Sequence, residues 1–360
     1  MPEGLRRATW LWLAVVVAAV VALADAAQPS IERATAFAER IKALSESGGS
    51  FDTDNLVSNE VSYLEVVPQL IERGVAGGAY IGVGPDQNFS YIARIRPKVA
   101  YIVDVRRDNL LLHLLFKAVF AEAATRIEYL CLLVGRTPPE PAPQWQVTPL
   151  GELLDQLDGA ALLERTRLRR RLESRIATFS VPLTASDLDT MARFHDAFIT
   201  AGVGLRFQSH GRPPQWYYPT YRHLLLATDR EKRAWSYLAD EQAYRFVRNL
   251  QAEDGVIPVV GDLSGPHAMP AIGKALAAAG TRLSALYVSN VENYLFRGGT
   301  FDSYAHNLRA LPHEPNAVVI RSVFRGGPSA STLQRLDTLL EGVAAGRVRS
   351  YIDVLMDRRP

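Results

Sequence analysis

The segment that most constrains the fold is a short apolar run ending in a glycine turn, Gly77-Gly-Ala-Tyr-Ile-Gly-Val-Gly84. Such a run is typical of a β-strand, and glycines at its end let the backbone turn sharply and approach a ligand. A helix is expected after Pro85, and residues 99–104, Val-Ala-Tyr-Ile-Val-Asp, form a second apolar strand that ends on an acid. A strand that is apolar throughout is typical of a parallel sheet covered on both faces.

The alternation of strand-like and helical segments continues along the chain. Three further apolar runs, at 256–262, 283–290 and 317–324, are each expected to be strands. Strands that alternate with helices predict a parallel sheet with right-handed crossovers. The predicted fold class is therefore α/β: a Rossmann-like, mostly parallel sheet with helices on both faces, preceded by N-terminal helices at 31–44 and 60–73.

The segment between the second and third strands is too long for one crossover helix. Its first part, 135–149, contains five prolines, and helical patterns follow it. Proline-rich stretches of this kind are typical of linkers and surface excursions. We predict a helical and loop insertion over 135–221 within a single α/β domain over 30–360. Pro68 is expected to kink or split the second N-terminal helix.

The N-terminus resembles a targeting signal. Arg6 and Arg7 precede an uncharged apolar stretch from about 8 to 24, and Ala22-Leu-Ala24 or Ala24-Asp-Ala26 follows as a cleavage site. Together these features predict a signal peptide over 1–26, with an uncleaved membrane anchor as the alternative. The basic N-terminal flank predicts an exported protein, periplasmic or secreted. If the start codon is assigned too far upstream, the protein would instead be cytoplasmic.

Bulk composition excludes several classes of partner. The formal net charge is +2, and the arginine cluster over 165–171 is flanked by acids and has no interleaved aromatics, so no nucleic-acid partner is expected. The only cysteine, Cys131, lies in an apolar run and is expected to be a buried hydrophobe. The spacing of cysteines and histidines matches no metal site, so no metal is expected. Membrane contact is expected only through the N-terminal segment.

The predicted strands end in small or polar residues, which should meet at one edge of the sheet. Ligands of open α/β sheets bind at the carboxyl ends of the strands. An acid about twenty residues beyond a glycine turn can accept hydrogen bonds from ribose hydroxyls. We therefore expect a small nucleoside-containing ligand at this edge. The strand-end residues are Gly82, Gly84, Asp104, Asp262, Asn290 and Glu292.

This layout resembles the class I S-adenosylmethionine-dependent methyltransferase fold. More closely, the stretches 80–89, 259–266 and 287–296 resemble an uncharacterised bacterial family associated with that fold. The resemblance implies S-adenosylmethionine as cofactor. Its implied contacts, with two further candidates from the turn, are Gly82 and Gly84 for the methionine moiety, Asp104 for the ribose, Asp262 for the adenine, and Asp86 and Asn88 beside the glycines.

The sequence departs from the methyltransferase pattern in three places. Residues 79–81, Ala-Tyr-Ile, stand where an acid is expected before the glycine turn, and Asp86 replaces the third glycine. No Asn/Asp-Pro-Pro-Tyr acceptor motif follows the fourth strand, where Ser289-Asn290-Val-Glu292-Asn293 stands instead. Asn290 and Glu292 are consequently the catalytic candidates, Glu292 as a general base at the mouth of the crevice. Both also suit the cap of the next helix.

Three other polar or aromatic groups have both a binding and a structural interpretation. His267 could reach the crevice or make one loop hydrogen bond, and 58–60, Ser-Asn-Glu, could contact the glycine turn or cap a helix. An aromatic cluster could stack on a flat ligand or seal a loop onto the core. Its members are Trp216, Tyr217, Tyr218 and Tyr221.

Three functions follow from these features. The first is an S-adenosylmethionine-dependent methyltransferase of unknown acceptor, although export would separate it from a cytosolic cofactor. The second is an exported, non-catalytic protein with a degenerate methyltransferase fold. The third is a nicotinamide-dependent oxidoreductase, since glycines followed by an acid also bind dinucleotides; Gln87 stands where that fingerprint has its third glycine.

Overall fold

The computed structural model describes residues 32–140, 143–211, 215–324 and 326–356. The expected signal peptide or anchor over 1–26 lies outside these residues. Within the described ranges, no helix combines the length and apolar character needed to cross a membrane.

A six-stranded sheet forms the centre of the protein. Its strands are β1 (Ala79–Gly82), β2 (Val99–Asp104), β3 (Val256–Val260), β4 (Leu283–Ser289), β5 (His313–Val323) and β6 (Ala330–Arg335). The spatial order is β3-β2-β1-β4-β5-β6, with all neighbours parallel except the antiparallel pair β5–β6. The predicted α/β class with a mostly parallel sheet is confirmed. Chain order reverses between β1 and β4, which is where such sheets bind ligands.

Fifteen helices are assigned among the described residues. The first, α1, covers 32–44, and a 3₁₀ turn at Tyr63–Val66 precedes the second. The others are α2 (Val67–Glu72), α3 (Gln87–Ile95), α4 (Arg107–Glu122), α5 (Arg126–Leu133), α6 (Leu150–Gly159), α7 (Arg165–Ala177), α8 (Ala185–Ala201), α9 (Tyr221–Leu225), α10 (Glu241–Ala252), α11 (Ala268–Ala278), α12 (Val291–Gly298), α13 (Phe301–Ala310), α14 (Leu336–Ala344) and α15 (Tyr351–Met356).

Local sequence explains where two of the expected helices divide. Pro68 lies in the first turn of α2, where a missing N–H costs nothing, so the chain forms a 3₁₀ turn before it and a short α-helix from Val67. The long apolar stretch 110–134, whose composition is typical of one continuous helix, is divided between two helices, α4 and α5. Thr125 breaks it because its side chain and that of Glu128 form a reciprocal capping box that starts α5.

The expected insertion contains α6, α7 and α8, and it packs against the long buried helix α4. Arg107, at the start of α4, donates to both carboxylate oxygens of Asp187 in α8, at 2.8 and 2.9 Å. The buried imidazole of His195 in α8 makes a 3.0 Å hydrogen bond to the backbone oxygen of Leu132. These contacts attach the insertion to the same core as the sheet.

The segment 45–60, between α1 and the 3₁₀ turn, crosses the carboxyl edge of the sheet. Glu46 N donates to Val260 O at 2.9 Å, and the Ser45 hydroxyl accepts from Val260 N at 3.1 Å. Gly49 N donates to Val105 O at 2.6 Å, just beyond β2. The segment therefore covers the ends of β2 and β3 and adds its own side chains to that edge.

Candidate ligand-binding site

A cavity of about 510 Å³ lies at the carboxyl ends of β1 to β4. Its size falls within the roughly 300–1,000 Å³ range of small-molecule sites. Three parts of the chain enclose it. They are the strand ends with the first residues of α12, residues 51–60 of the segment that crosses the sheet edge, and a loop that contributes Phe207, Ser209, Tyr217 and Tyr218. The cavity thus lies where the order of the sheet predicts a ligand.

Four of the candidate residues line this cavity together, although they are up to about two hundred residues apart in sequence. They are Gly84 after β1, Asp104 at the end of β2, Asp262 after β3 and Asn290 after β4. The other four candidates, Gly82, Asp86, Asn88 and Glu292, are not among its lining residues. The first four residues lie together because the carboxyl ends of parallel strands meet at one edge of the sheet. The other four make their contacts within the core.

Asp104 is held by the residue two positions along the chain. The backbone N and Nε of Arg106 donate to Asp104 Oδ1 at 2.9 and 3.0 Å, and Arg106 Nη2 donates to Oδ2 at 2.8 Å. Arg106 Nη1 also donates to the backbone oxygens of Thr53 and Asp54, at 2.6 and 2.9 Å. Because a carboxylate oxygen accepts two hydrogen bonds, Asp104 Oδ2 retains capacity for one more donor.

Asp262 is more available than Asp104. Its Oδ1 accepts from the backbone N and hydroxyl of Ser264, at 2.7 and 2.8 Å, while its Oδ2 has no hydrogen bond from any described residue. The Asp262 backbone N donates to Glu46 Oε1 at 2.7 Å. Glu46 therefore fixes the loop after β3, and Asp262 Oδ2 is left to accept from a ligand.

The glycine turn is fixed by close packing against neighbouring side chains as well as by the need to leave the cavity open. A Cβ on Gly82 would lie 2.0 Å from Asn88 Oδ1 and 2.7 Å from the Tyr80 ring, so no side chain fits there. Asn88 Nδ2 donates to Val83 O and Pro85 O at 2.9 and 2.7 Å, and Asn88 is fully buried. Gly82 and Asn88 thus hold the turn in place from behind and do not face the cavity as cofactor-binding residues would.

Gly84 does face the cavity, and its backbone conformation explains the residue. Its φ of +79° is one that residues with a side chain rarely adopt. The imidazole Nε2 of His113 lies 2.9 Å from Gly84 O. Burial lowers the pKa of His113 to about 4, so the ring is neutral near pH 7 and donates to that carbonyl.

Asp86, expected beside the glycine turn as a cofactor contact, is a buried core residue in this structure. Its Oδ2 accepts from the Tyr221 and Tyr237 hydroxyls at 2.6 and 3.1 Å, and only 3% of the residue is exposed. Burial raises the pKa of Asp86 to about 6, while the two tyrosine hydroxyls act in the opposite sense. Tyr221, expected in an aromatic wall, is accordingly part of this buried cluster.

Glu292, expected as a general base at the mouth of the crevice, is paired with another side chain in the core. It forms a buried two-point ion pair with Arg321, in which Nη2 donates to Oε1 at 3.0 Å and Nε donates to Oε2. The Tyr304 hydroxyl donates to Oε1 at 3.1 Å. Both carboxylate oxygens of Glu292 are therefore already occupied by donors from the core.

Glu60, for which the sequence offers either contact with the glycine turn or a helix cap, lines the cavity. Oε2 accepts from the hydroxyls of Tyr287, at 2.6 Å, and Ser322, and Oε1 accepts from the hydroxyl of Ser289. Burial raises the pKa of Glu60, against the lowering effect of these three hydroxyls. The sequence feature that could have indicated the role of Glu60 is the set of hydroxyl side chains near the ends of β4 and β5.

Aromatic residues form part of the cavity wall. Tyr217 and Tyr218 line it, whereas Trp216 is 86% exposed. Phe51 from the crossing segment meets Tyr294 of α12 edge to face, with ring centroids 5.3 Å apart, and both line the cavity. Two of the four expected aromatic residues, Tyr217 and Tyr218, therefore line the cavity, together with Phe51 and Tyr294. His267 is not part of the lining; its Nε2 lies 3.0 Å from Ala43 O, which fits the loop hydrogen bond.

Among the described residues that line the cavity, acidic side chains outnumber basic ones. Its described lining contains the carboxylates of Asp52, Glu60, Asp104 and Asp262 but one cationic side chain, Arg106, which is paired with Asp104. Such an arrangement favours cationic over anionic ligands. Within the described residues there is no cluster of His, Cys, Asp and Glu that could hold a metal ion.

Comparison with known proteins gives a family without an assigned activity. A family model described as a domain of unknown function (DUF7790) matches residues 55–136 and 213–340, more than half of the chain. The stretch left unmatched between these two segments contains α6, α7 and α8. No curated protein matches the chain.

Proposed function

The chain belongs to the DUF7790 family of unknown function, and we propose that it binds S-adenosylmethionine in the strand-end cavity and methylates an acceptor yet to be identified. The observation that carries this proposal is the convergence of Gly84, Asp104, Asp262 and Asn290 on one acidic cavity at the reversal of strand order. The cofactor would supply a methyl group on a positively charged sulfonium.

The residues present suit such a cofactor. Its ribose and adenine offer hydroxyl and amino donors, and Asp262 Oδ2 and Asp104 Oδ2 are acceptors with remaining capacity. Its net positive sulfonium and amino-acid end suit a lining in which carboxylates outnumber cations. Gly84 lets the backbone approach without a side chain in the way.

The roles of these residues are binding and orientation. Asp262 would accept from the adenine side of the ligand, and Asp104 from one ribose hydroxyl while Arg106 keeps its carboxylate oriented. Asn290 and the backbone after β4 would face the acceptor. Aromatic side chains on the wall, Phe51 and Tyr294 among them, would exclude water from the bound ligand.

A nicotinamide dinucleotide fits this cavity less well. The pyrophosphate of such a cofactor binds at the N-terminus of the helix after the first strand, where backbone N–H groups attract an anion. In this chain the N-cap of α3 is Asp86, whose buried carboxylate would repel a phosphate when ionised. The acidic lining of the cavity adds to this repulsion.

One observation favours the second candidate, an exported binding protein without catalysis. Asp104 and Glu292 are both ion-paired with arginines, so both carboxylates already accept hydrogen bonds from guanidinium groups. A binding protein would use the same nucleoside site as the methyltransferase but would transfer no methyl group. Incubation with radiolabelled S-adenosylmethionine and a cell extract separates the two, since only the methyltransferase would label an extract component.

Isothermal titration of the full chain with S-adenosylmethionine, S-adenosylhomocysteine and NAD tests the ligand class. We expect heat from the first two. Asp262→Asn should weaken their binding roughly tenfold or more, because an amide N–H₂ replaces the free acceptor oxygen.

Asp189→Asn is the matched control. It makes the same charge change on an exposed residue of α8 remote from the cavity lining, and the affinities should stay as in the wild type. Absence of heat from both adenosyl compounds would refute the proposal, and heat from NAD alone would favour the oxidoreductase.

A further inference from the structure

The carboxylate of Glu60 is buried in the cavity without a cationic partner. Only 1% of the residue is exposed, and its three hydrogen bonds come from the neutral hydroxyls of Tyr287, Ser289 and Ser322. Among the described residues, no Lys, Arg or His nitrogen lies within ion-pair distance of it; the nearby cation of the cavity, Arg106, is bound to Asp104. A buried carboxylate lacking a counter-charge is costly, and a bound cation would relieve that cost.

A second polar group beside Glu60 also lacks a partner. Gln87 lines the cavity at 6% exposure, and its Nε2 donates to the Tyr287 hydroxyl at 2.9 Å, which in turn donates to Glu60. The amide oxygen of Gln87 is buried and accepts no hydrogen bond from any described residue. A buried acceptor of this kind is normally satisfied by a donor. Glu60 and Gln87 together therefore present unused acceptor capacity to a group rich in N–H donors.

The position of Glu60 in the sheet separates it from the nucleoside candidates. Its partners belong to β4 (Tyr287 and Ser289) and β5 (Ser322). Asp104, which ends β2, and Asp262, which follows β3, lie on the other side of β1. Phe51 and Tyr294 are part of the wall of the same cavity. Aromatic faces attract organic cations, which adds to the preference set by the carboxylate.

We propose that Glu60 and Gln87 form a subsite for a protonated primary amine, carried by the acceptor molecule that shares the cavity with the nucleoside. The ammonium would donate to Glu60 and to the Gln87 amide oxygen, and the organic part of the molecule would lie against the aromatic wall. This assignment of the acceptor class rests on the proposed function. The subsite itself depends only on the residues that form it.

The test is isothermal titration of the full chain with two probes of similar shape, 2-phenylethylamine and the uncharged 2-phenylethanol. The amine is expected to bind at least tenfold more tightly than the alcohol. Glu60→Gln should weaken the amine at least tenfold and leave the alcohol unchanged, while Asp189→Asn should affect neither. Asp262→Asn should show the opposite pattern, with weaker S-adenosylhomocysteine binding and unchanged amine binding.

Protonation gives an independent measurement. Burial raises the pKa of Glu60, and a bound ammonium would lower it again. The amine affinity of the wild type should therefore fall as pH is lowered and Glu60 becomes protonated, whereas the affinity of Glu60→Gln should lack this dependence. If Glu60→Gln fails to fold, as judged by circular dichroism, Gln87→Leu should still weaken the amine several-fold.

Three results would overturn the inference: no amine binding at millimolar concentration, equal affinities for amine and alcohol, or amine binding that withstands both substitutions. The cofactor's own amino group is distinguished by comparing S-adenosylhomocysteine with 5′-methylthioadenosine, which lacks the amino-acid part. If Glu60→Gln weakens the former alone, the ammonium belongs to the cofactor and the acceptor assignment is wrong. Amine binding without any adenosyl binding would instead refute the proposed function and leave the subsite intact.

Discussion

The buried carboxyl of Asp86 should make the stability of the protein fall as pH rises, and Asp86→Asn should remove this effect. In the native protein, burial raises the pKa of Asp86 from 3.8 to about 6. Between these two values the folded state holds a proton that the unfolded chain has released. The stabilising contribution of the protonated carboxyl is therefore complete below pH 4 and is lost as pH rises through about 6.

The size of the effect follows from the shift. Two pKa units correspond to about 3 kcal/mol, at 1.36 kcal/mol per unit, as an order-of-magnitude value. Asparagine keeps an oxygen that can accept from Tyr221 and Tyr237 but carries no titrating charge. The stability of the wild type relative to Asp86→Asn should thus fall by about 3 kcal/mol between pH 4 and pH 7.

Urea unfolding of both proteins at pH 4, 5, 6 and 7 measures this difference. The comparison is needed because His113 acts in the opposite direction. Its pKa of about 4 lies below the ordinary 6.5, so its contribution is lost as pH falls, and it partly masks Asp86 in the wild type alone. Since both proteins retain His113, the difference isolates Asp86. A difference that is constant with pH, or that grows in favour of the wild type, would refute the argument.

Three further outcomes are expected. Arg321→Met should lower the free energy of unfolding by about 3–5 kcal/mol, because it leaves Glu292 as a buried charge without a partner. In urea melts, the double variant that adds Glu292→Leu should recover most of this loss. Equal losses in the single and double variants would contradict this reasoning. Gly82→Ala should cost about 1–3 kcal/mol, since its Cβ would clash with Asn88, and an unchanged thermal midpoint would exclude this close packing. Mass spectrometry of the mature protein should find an N-terminus at residue 25 or 27 if the signal is cleaved, whereas an intact chain in the cytosol would exclude export.

The strands of the sheet are predictable from sequence where burial on both faces produces a continuous apolar run. β1 to β4 are buried at nearly every position, so each reads as a short apolar run. The last strand, β6, was not predicted because Ala330-Ser-Thr-Leu-Gln-Arg335 is a partly exposed edge strand with one apolar side chain larger than alanine. β5 begins at His313, four residues earlier than expected, because its first residues are polar and exposed.

The candidate site was predictable only in part, for a related reason. Strand ends must meet at one edge of a parallel sheet, so Gly84, Asp104, Asp262 and Asn290 could be brought together from their positions alone. Local sequence does not reveal which side chains pair across long separations. Asp86 meets Tyr221 from 135 residues away, and no periodicity in the sequence carries that information.

The crossing segment 45–60 illustrates the same limit. Its serines and glycines indicate a loop, but its path over the strand ends is set by hydrogen bonds to Val260 and Val105, which are distant in sequence. Only this path brings Glu60 into the cavity. Long-range backbone contacts, rather than any sequence motif, therefore determine the position of Glu60 in the site.

The proposed nucleoside-containing ligand would bind at the carboxyl ends of β1 to β4. Hydrogen–deuterium exchange of the full chain with and without saturating S-adenosylhomocysteine locates such a ligand. We expect slower exchange in three segments that line the cavity, 83–84, 104–106 and 261–263, with little change in α6 to α8. Protection confined to other regions, or no protection at any segment, would contradict the proposal.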